Sequence, residues 1–413
     1  MDLRGVATPG TPSRRTGHRP KYIQYEGLHP ARREHAPNAA PSPRRSISSP
    51  LALPATAFRG RVTELVEREA RTGSRRHVVV LAVDGLTYET AAGTWTKART
   101  ERVESVLPTT SSAGWLSSLT GAPVSAHAVP GVVFTPRPAP VRSASDLINV
   151  FDYRGPDLTT VRENVFSDAR LHGYLPLAVL GDLEAYDCAW RDVLLRDAVP
   201  VTGHRFYTGS PAGFAMDGGD AYRAPSPAAV GSEVRTAIDA ALARHGDSGP
   251  CLVWCYIELD RHVHHHGYDA HVRECLRGLE QVALELTARD LLVLAHSDHG
   301  LTPTRHDPGL AELLDTASRR HGFVMGGAGR IRWIYPAPGS EDRLTAELRR
   351  RLPASVRLVD SDTLLPPGSP GRARIGPISL VALAEDFVTD PAYTHDHGSA
   401  LDAELYTPLS TWR

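Results

Sequence analysis

Leu291–Gly300 reads LLVLAHSDHG. Its first five residues are apolar with no polar alternation, the pattern of a strand covered on both faces of a parallel sheet. The run breaks at Ser297-Asp298-His299-Gly300, which sets a carboxylate beside an imidazole just past the strand. In open α/β sheets that carboxyl edge is where sites are built. His77–Asp84 (HVVVLAVD) repeats the design and ends on Asp84, before Gly85. A third run, Cys251–Ile257 (CLVWCYI), leads into Glu258-Leu259-Asp260. Helical periods at 58–73, 162–172, 226–244 and 269–287 separate these strands, with a further strand at Leu175–Leu180. The alternation predicts a three-layer α/β/α domain with a mostly parallel central sheet over residues 57–413.

Apolar residues are 41% of the 413 and charged residues 23%, ordinary for a globular chain. A net charge of −1 gives no bulk attraction for nucleic acid or a membrane surface. No run approaches the roughly 18 apolar residues of a membrane span. The expected partner is therefore a small molecule. Cys188, Cys251, Cys255 and Cys275 lack CxxC spacing and read as free buried thiols of a reducing compartment. Residues 1–56 are rich in Pro, Ser and Arg and read as a disordered basic tail. Arg44-Arg45 precedes LALPATAF, a possible twin-arginine export signal, but Pro54 breaks a run that should extend about 7–15 residues. A cytoplasmic location is the expectation. Residues 182–225 are loop-rich, include Tyr207 and Phe214, and read as a small cap over a site.

The chemistry concentrates in three further places. After Pro108 come Thr109, Thr110, Ser111 and Ser112, then a helix-compatible stretch with Trp115, Leu116 and Leu119 on its apolar side. Hydroxyls there are ordinarily caps. The functional alternative is a nucleophile held where free N–H groups and the helix dipole favour an oxyanion. Asp260 and His264 are four apart, so one helical turn sets both on one face, with His262, His265 and His266 as competitors. YTHDHG at 393–398 adds His395 and His397. Together with Asp84, Asp298 and His299, these form a mixed Asp/His set that suits Zn²⁺, with Mn²⁺ or Fe²⁺ behind it.

Five segments, VVLAVDGL (79–86), LPTTSSAGWLSSLTGAPVSAHAVPG (107–131), YIELDRHVHHHGYD (256–269), LLVLAHSDHGLTP (291–303) and HGSALDAELYTPL (397–409), come in one order. In that order the chain resembles the nucleotide pyrophosphatase/phosphodiesterase branch of the alkaline phosphatase superfamily. The resemblance implies two divalent metal ions. Asp84, Asp298 and His299 would hold one, bridged to the nucleophile, and Asp260, His264 and His397 the other. It places the nucleophile three residues after Pro108 and ten before Gly121, which is Ser111, with Thr110 as runner-up. His397 fits the family's His-Gly, and His395 is the weaker choice. Ser112, Gly114 and Trp115 fall where substrate would be bound.

Two departures stand out. Many relatives carry Asn where this chain has Gly114, and the nucleophile is Ser where the branch usually has Thr. Sulfatase chemistry is disfavoured, because residues 111–115 lack the C/S-x-P-x-R pattern it requires. The implied activity is hydrolysis of phosphoric esters through a covalent phosphoryl- or nucleotidyl-serine. The alternatives are a phosphomonoesterase, a phosphonate hydrolase, or transfer to an alcohol.

Overall fold

The computed structural model describes residues 52–156, 158–206 and 225–413. The tail up to residue 51, with its three arginine pairs, and Tyr207 and Phe214 lie outside them. An eight-stranded sheet forms the centre. Its order is Leu53–Pro54, Arg99–Glu104, Tyr406–Trp412, Leu292–His296, Val78–Asp84, Cys251–Glu258, Leu175–Val179, Val199–Val201. All neighbours run parallel except Tyr406–Trp412, which is antiparallel to both of its partners.

Val78–Asp84 is buried along its whole length because each face is covered. Val78, Val80 and Ala82 pack with the helices Ala57–Thr72, Ser111–Thr120 and Val165–Leu171. Val79, Leu81 and Val83 pack against Pro227–His245 and Ala270–Ala288. That is the three-layer arrangement the apolar runs predict. All four cysteines are free and buried. No helix among the described residues is long and apolar enough to cross a membrane.

Three elements depart from the sequence reading. The tail expected to reach residue 56 ends sooner: Leu53–Pro54 pairs with Val103–Glu104 as an edge strand. The described part of the expected cap belongs to the main body, since Ala189–Leu194 is a helix and Val199–Val201 a strand of the central sheet. The third is a second sheet of six antiparallel strands, in the order Val356–Asp360, Ile378–Ala382, Ile331–Pro336, Phe323–Ala328, Val133–Phe134, Ile148–Asn149. It packs Ile334, Ile378 and Leu380 against the helices Pro308–His321 and Glu341–Arg351.

Register positions the site. Asp84 lies opposite Glu258, and Ala82 opposite His296. Val78–Asp84 and Cys251–Glu258 end level, Leu292–His296 stops two residues sooner, and the residues just beyond all three share one edge.

Candidate active site

Asp84 closes its strand, and the chain turns at once through Gly85 with φ +71°. A Cβ there would lie 2.9 Å from the backbone of Asp260, so only glycine lets the two loops approach this closely. Asp260 opens the helix Asp260–His266, which carries His264 one turn later. Asp298 and His299 follow the strand Leu292–His296 and are fully buried.

The four hydroxyls separate by partner. Thr109 Oγ1 donates to the Ser399 carbonyl at 2.7 Å. Thr110 and Ser112 are buried and pair with each other at 3.2 Å. Ser111, the first residue of the helix Ser111–Thr120, turns the other way. Its Oγ lies 3.3 Å from Asp84 Oδ1 and 3.1 Å from His299 Nε2. Of the four, Ser111 is the hydroxyl that meets the carboxylate and imidazole set.

Asp84, Asp298 and His299 converge closely enough to hold one ion. His299 Nε2 is 3.6 Å from Asp84 Oδ1 and 3.3 Å from Asp298 Oδ2. Beside them, His264 Nε2 lies 3.1 Å from Asp260 Oδ2 and His397 Nε2 3.9 Å from Asp260 Oδ1. This second group overlaps its neighbours: Asp260 converges with His299 and His397, and His264 with Asp396 and His397. The His299 and His397 rings stack at 4.0 Å, making the two groups one continuous site.

Each imidazole has one nitrogen engaged with the backbone. His299 Nδ1 faces the Gly300 carbonyl at 3.2 Å, His264 Nδ1 that of His395 at 2.8 Å, and His397 Nδ1 that of Thr109 at 2.8 Å. Donation to those carbonyls orients the rings so that all three Nε2 atoms face the carboxylates, the usual arrangement behind metal ligands.

The carboxylates are crowded. Burial, then the charges of Asp84 and Asp260, pushes the Asp298 carboxyl well above its ordinary range. Burial and Asp260 raise Asp84 as well. For Asp260 burial is outweighed by the imidazoles, His264 first, and its carboxyl falls. Burial also disfavours charge on His264, but Asp260 lifts it to about 9. Asp260 Oδ1 and Asp298 Oδ2 are out of solvent with no hydrogen-bond partner. Orphaned, mutually repelling carboxylate oxygens facing imidazole nitrogens fit a divalent cation.

Four sequence candidates have other surroundings. Trp115 is fully buried, edge-on to Trp254 at 5.6 Å, and its indole donates to Asp84 Oδ2 at 3.3 Å. It is a core residue that steadies Asp84, and its ring offers no face to a nucleobase. The Ser112 carbonyl accepts the Trp190 indole at 3.0 Å. A Cβ on Gly114 would lie 2.9 Å from the carbonyl oxygen of Asp298, so the relatives' Asn has no room at this position. His395 contributes its carbonyl to His264, while its ring belongs to none of the convergent groups among the described residues.

Two residues escaped the sequence reading, Tyr256 and Asp396, and so did the part played by Thr109. Tyr256 donates its hydroxyl to Asp84 Oδ2. Asp396 accepts the His397 backbone N–H at 2.8 Å, and the signal was present in Thr394-His395-Asp396-His397. Thr109 holds the last ligand loop three times: it accepts His397 Nδ1–H, accepts the Gly398 N–H at 2.9 Å and donates to Ser399.

No family model matches the chain, and no curated protein matches it by sequence. Solved structures do share its fold. Murine ectonucleotide pyrophosphatase/phosphodiesterase 5 aligns with a TM-score of 0.59 and 14% identity, over 82% of this chain and 88% of that one. Phosphonoacetate hydrolase from Sinorhizobium meliloti, in complex with phosphonoacetate, aligns with a TM-score of 0.56 and 15% identity, over 82% and 90%. The likeness shows that the chain shares the fold of these two structures.

Proposed function

We propose that the chain is a metal-dependent hydrolase of phosphoric esters, of the nucleotide pyrophosphatase/phosphodiesterase type, with Ser111 as nucleophile and two divalent cations, Zn²⁺ first. The observation that carries this reading is the placement of Ser111 Oγ within 3.3 Å of both Asp84 and His299, at a helix N-terminus beside orphaned carboxylate oxygens. Asp84, Asp298 and His299 would hold one cation, and Asp260, His264 and His397 the other. Bound there, the pair would neutralise phosphoryl charge and lower the pKa of the oxygens it touches.

The residues of the chain do the rest. Ser111 gives up its proton and its Oγ attacks phosphorus; the ester P–O bond breaks and the alcohol or nucleoside fragment leaves with a proton. Water then attacks the phosphorus of the covalent serine ester, returning Ser111 and releasing phosphate or a nucleotide. Tyr256 and Trp115 fix Asp84 Oδ2, so that Oδ1 stays on the Ser111 side.

A phosphonate or monoester substrate is the second reading. It is favoured by the burial of Trp115, which removes the expected aromatic wall for a base, and by the lack of space for Asn at Gly114. Hydrolysis of p-nitrophenyl phosphate, thymidine 5′-p-nitrophenyl phosphate and phosphonoacetate, before and after chelation, separates the readings. Chelation should abolish the preferred activity, and Ser111→Ala should abolish turnover while the protein keeps its metal. Turnover surviving in Ser111→Ala would remove Ser111 from the role.

A further inference from the structure

His264 sits in a helix of only seven residues, Asp260–His266, which Gly267 ends with φ +68°. A helix that short has little stability of its own, so a ligand on it needs holding from outside. Three consecutive residues of the loop before His397 do so. The Thr394 N–H donates to the His264 carbonyl at 2.8 Å, and Thr394 Oγ1 donates to the same oxygen at 3.3 Å. The His395 carbonyl accepts from His264 Nδ1 at 2.8 Å. Tyr393, which is partly buried, lays its ring on the His264 ring with centroids 4.1 Å apart and planes within 25°.

We propose that Tyr393 is a positioning residue: its ring fixes the orientation of the His264 imidazole and so sets how tightly Asp260, His264 and His397 hold a cation. The proposal rests on the reading of those three residues as ligands. A hydrogen bond at Nδ1 alone leaves the imidazole free to swing about that contact, and the flat phenol face stops the swing. His397 lies at 5.2 Å, tilted by 48°, too far and too oblique to do the same. Tyr393 is itself held. His265 meets it edge-on at 5.3 Å and 84°, and its N–H donates to the Asp390 carbonyl at 3.1 Å. Just beyond it, His395–Asp396 pairs with Thr302–Pro303, in the segment that follows His299. The face of a phenol is electron-rich, and an imidazole that binds a cation becomes more positive, so the stack strengthens in the loaded state. The ring and not the hydroxyl carries this role. One loop thus supplies the ligand His397 and locks the ligand His264.

Equilibrium dialysis of the full chain against Zn²⁺, with metal counted per chain, tests the role in wild type, Tyr393→Phe and Tyr393→Leu. Phenylalanine keeps the flat ring, and leucine keeps bulk without it. Tyr393→Phe should hold both equivalents as tightly as wild type. Tyr393→Leu should bind one of the two more weakly by about tenfold or more, the usual loss for an outer-shell change. The urea midpoints of the chelated variants should agree, which separates ring positioning from general loosening. Unchanged affinity in Tyr393→Leu, an equal loss in Tyr393→Phe, or a loss accompanied by a lowered midpoint would overturn the proposal. Wild type that binds no Zn²⁺ is a distinct result: it would remove the cation-centre reading, and this proposal with it.

Discussion

Two buried ionic clusters in this molecule are built on opposite terms. At the sheet edge, Asp84, Asp260 and Asp298 crowd together with only imidazoles to answer them, and two of their oxygens have no partner. Near the second sheet, Arg330 and Glu404 are both completely buried, 3.0 Å apart. There every direction is filled. Arg330 also donates to Thr304 and to the Ala384 and Glu385 carbonyls, and Glu404 accepts from Ser399 and Leu401. One cluster carries its own cation; the other has the shape of a place where a cation must be supplied from outside. Burial of charge is tolerated only with compensation, and the source of that compensation separates a structural cluster from a functional one.

The sharpest way to break this contrast is to change the supply. Asp298→Asn should remove metal from the centre and lower turnover by more than about a hundredfold, beyond the usual loss for an outer-shell change. Full metal occupancy in that variant, measured by elemental analysis, would mean that Asp298 is no ligand. On the other side, Glu404→Gln strands the buried Arg330 charge and should cost about 3–5 kcal/mol, read from the urea midpoint. An unchanged midpoint would erase the distinction between the clusters. Tyr256→Phe is gentler. Losing its hydrogen bond to Asp84 should weaken metal affinity by about 10- to 100-fold with little change in the denaturation midpoint.

The smallest effect concerns a third charge cluster, between the helices Pro308–His321 and Glu341–Arg351. Hydrogen bonds from His321, Arg351 and Arg320 hold the Glu347 carboxyl down at about 2, against an ordinary 4.5. Its contribution is complete above the ordinary value and fades as pH falls toward the folded one. Wild type should therefore lose stability between those limits more steeply than Glu347→Gln. Superimposable acid limbs for the two would show that the cluster is without consequence.

Much of the site was legible because its signals are local. A buried strand must stop being apolar where it leaves the core, so Asp84 and Asp298 stand out against the runs before them. Asp260 and His264 are joined by a single helical turn. Tyr256 was not legible: in the apolar run CLVWCYI an aromatic reads as core, and only the fold reveals that its hydroxyl ends at Asp84. Trp115, four residues past Ser111, reads from sequence as either a core aromatic or a substrate contact, and the packed structure makes it a core indole. The second sheet was hidden for a topological reason. Its strands are drawn from residues 133 to 382, and one includes Gly326-Gly327, where β-propensity is weakest. Pairing between such distant pieces leaves no periodic trace.

The strand Tyr406–Trp412 lies inside the central sheet, between Arg99–Glu104 and Leu292–His296. All the strands around it are synthesised earlier. Until residues 406–412 have left the ribosome, the sheet is two separate pieces with facing unpaired edges. Of the strands of this sheet, the one latest in the sequence is the one that joins the halves. A nascent chain stalled just short of it would expose two sticky strand edges, which makes it a natural client for chaperones that shield such edges.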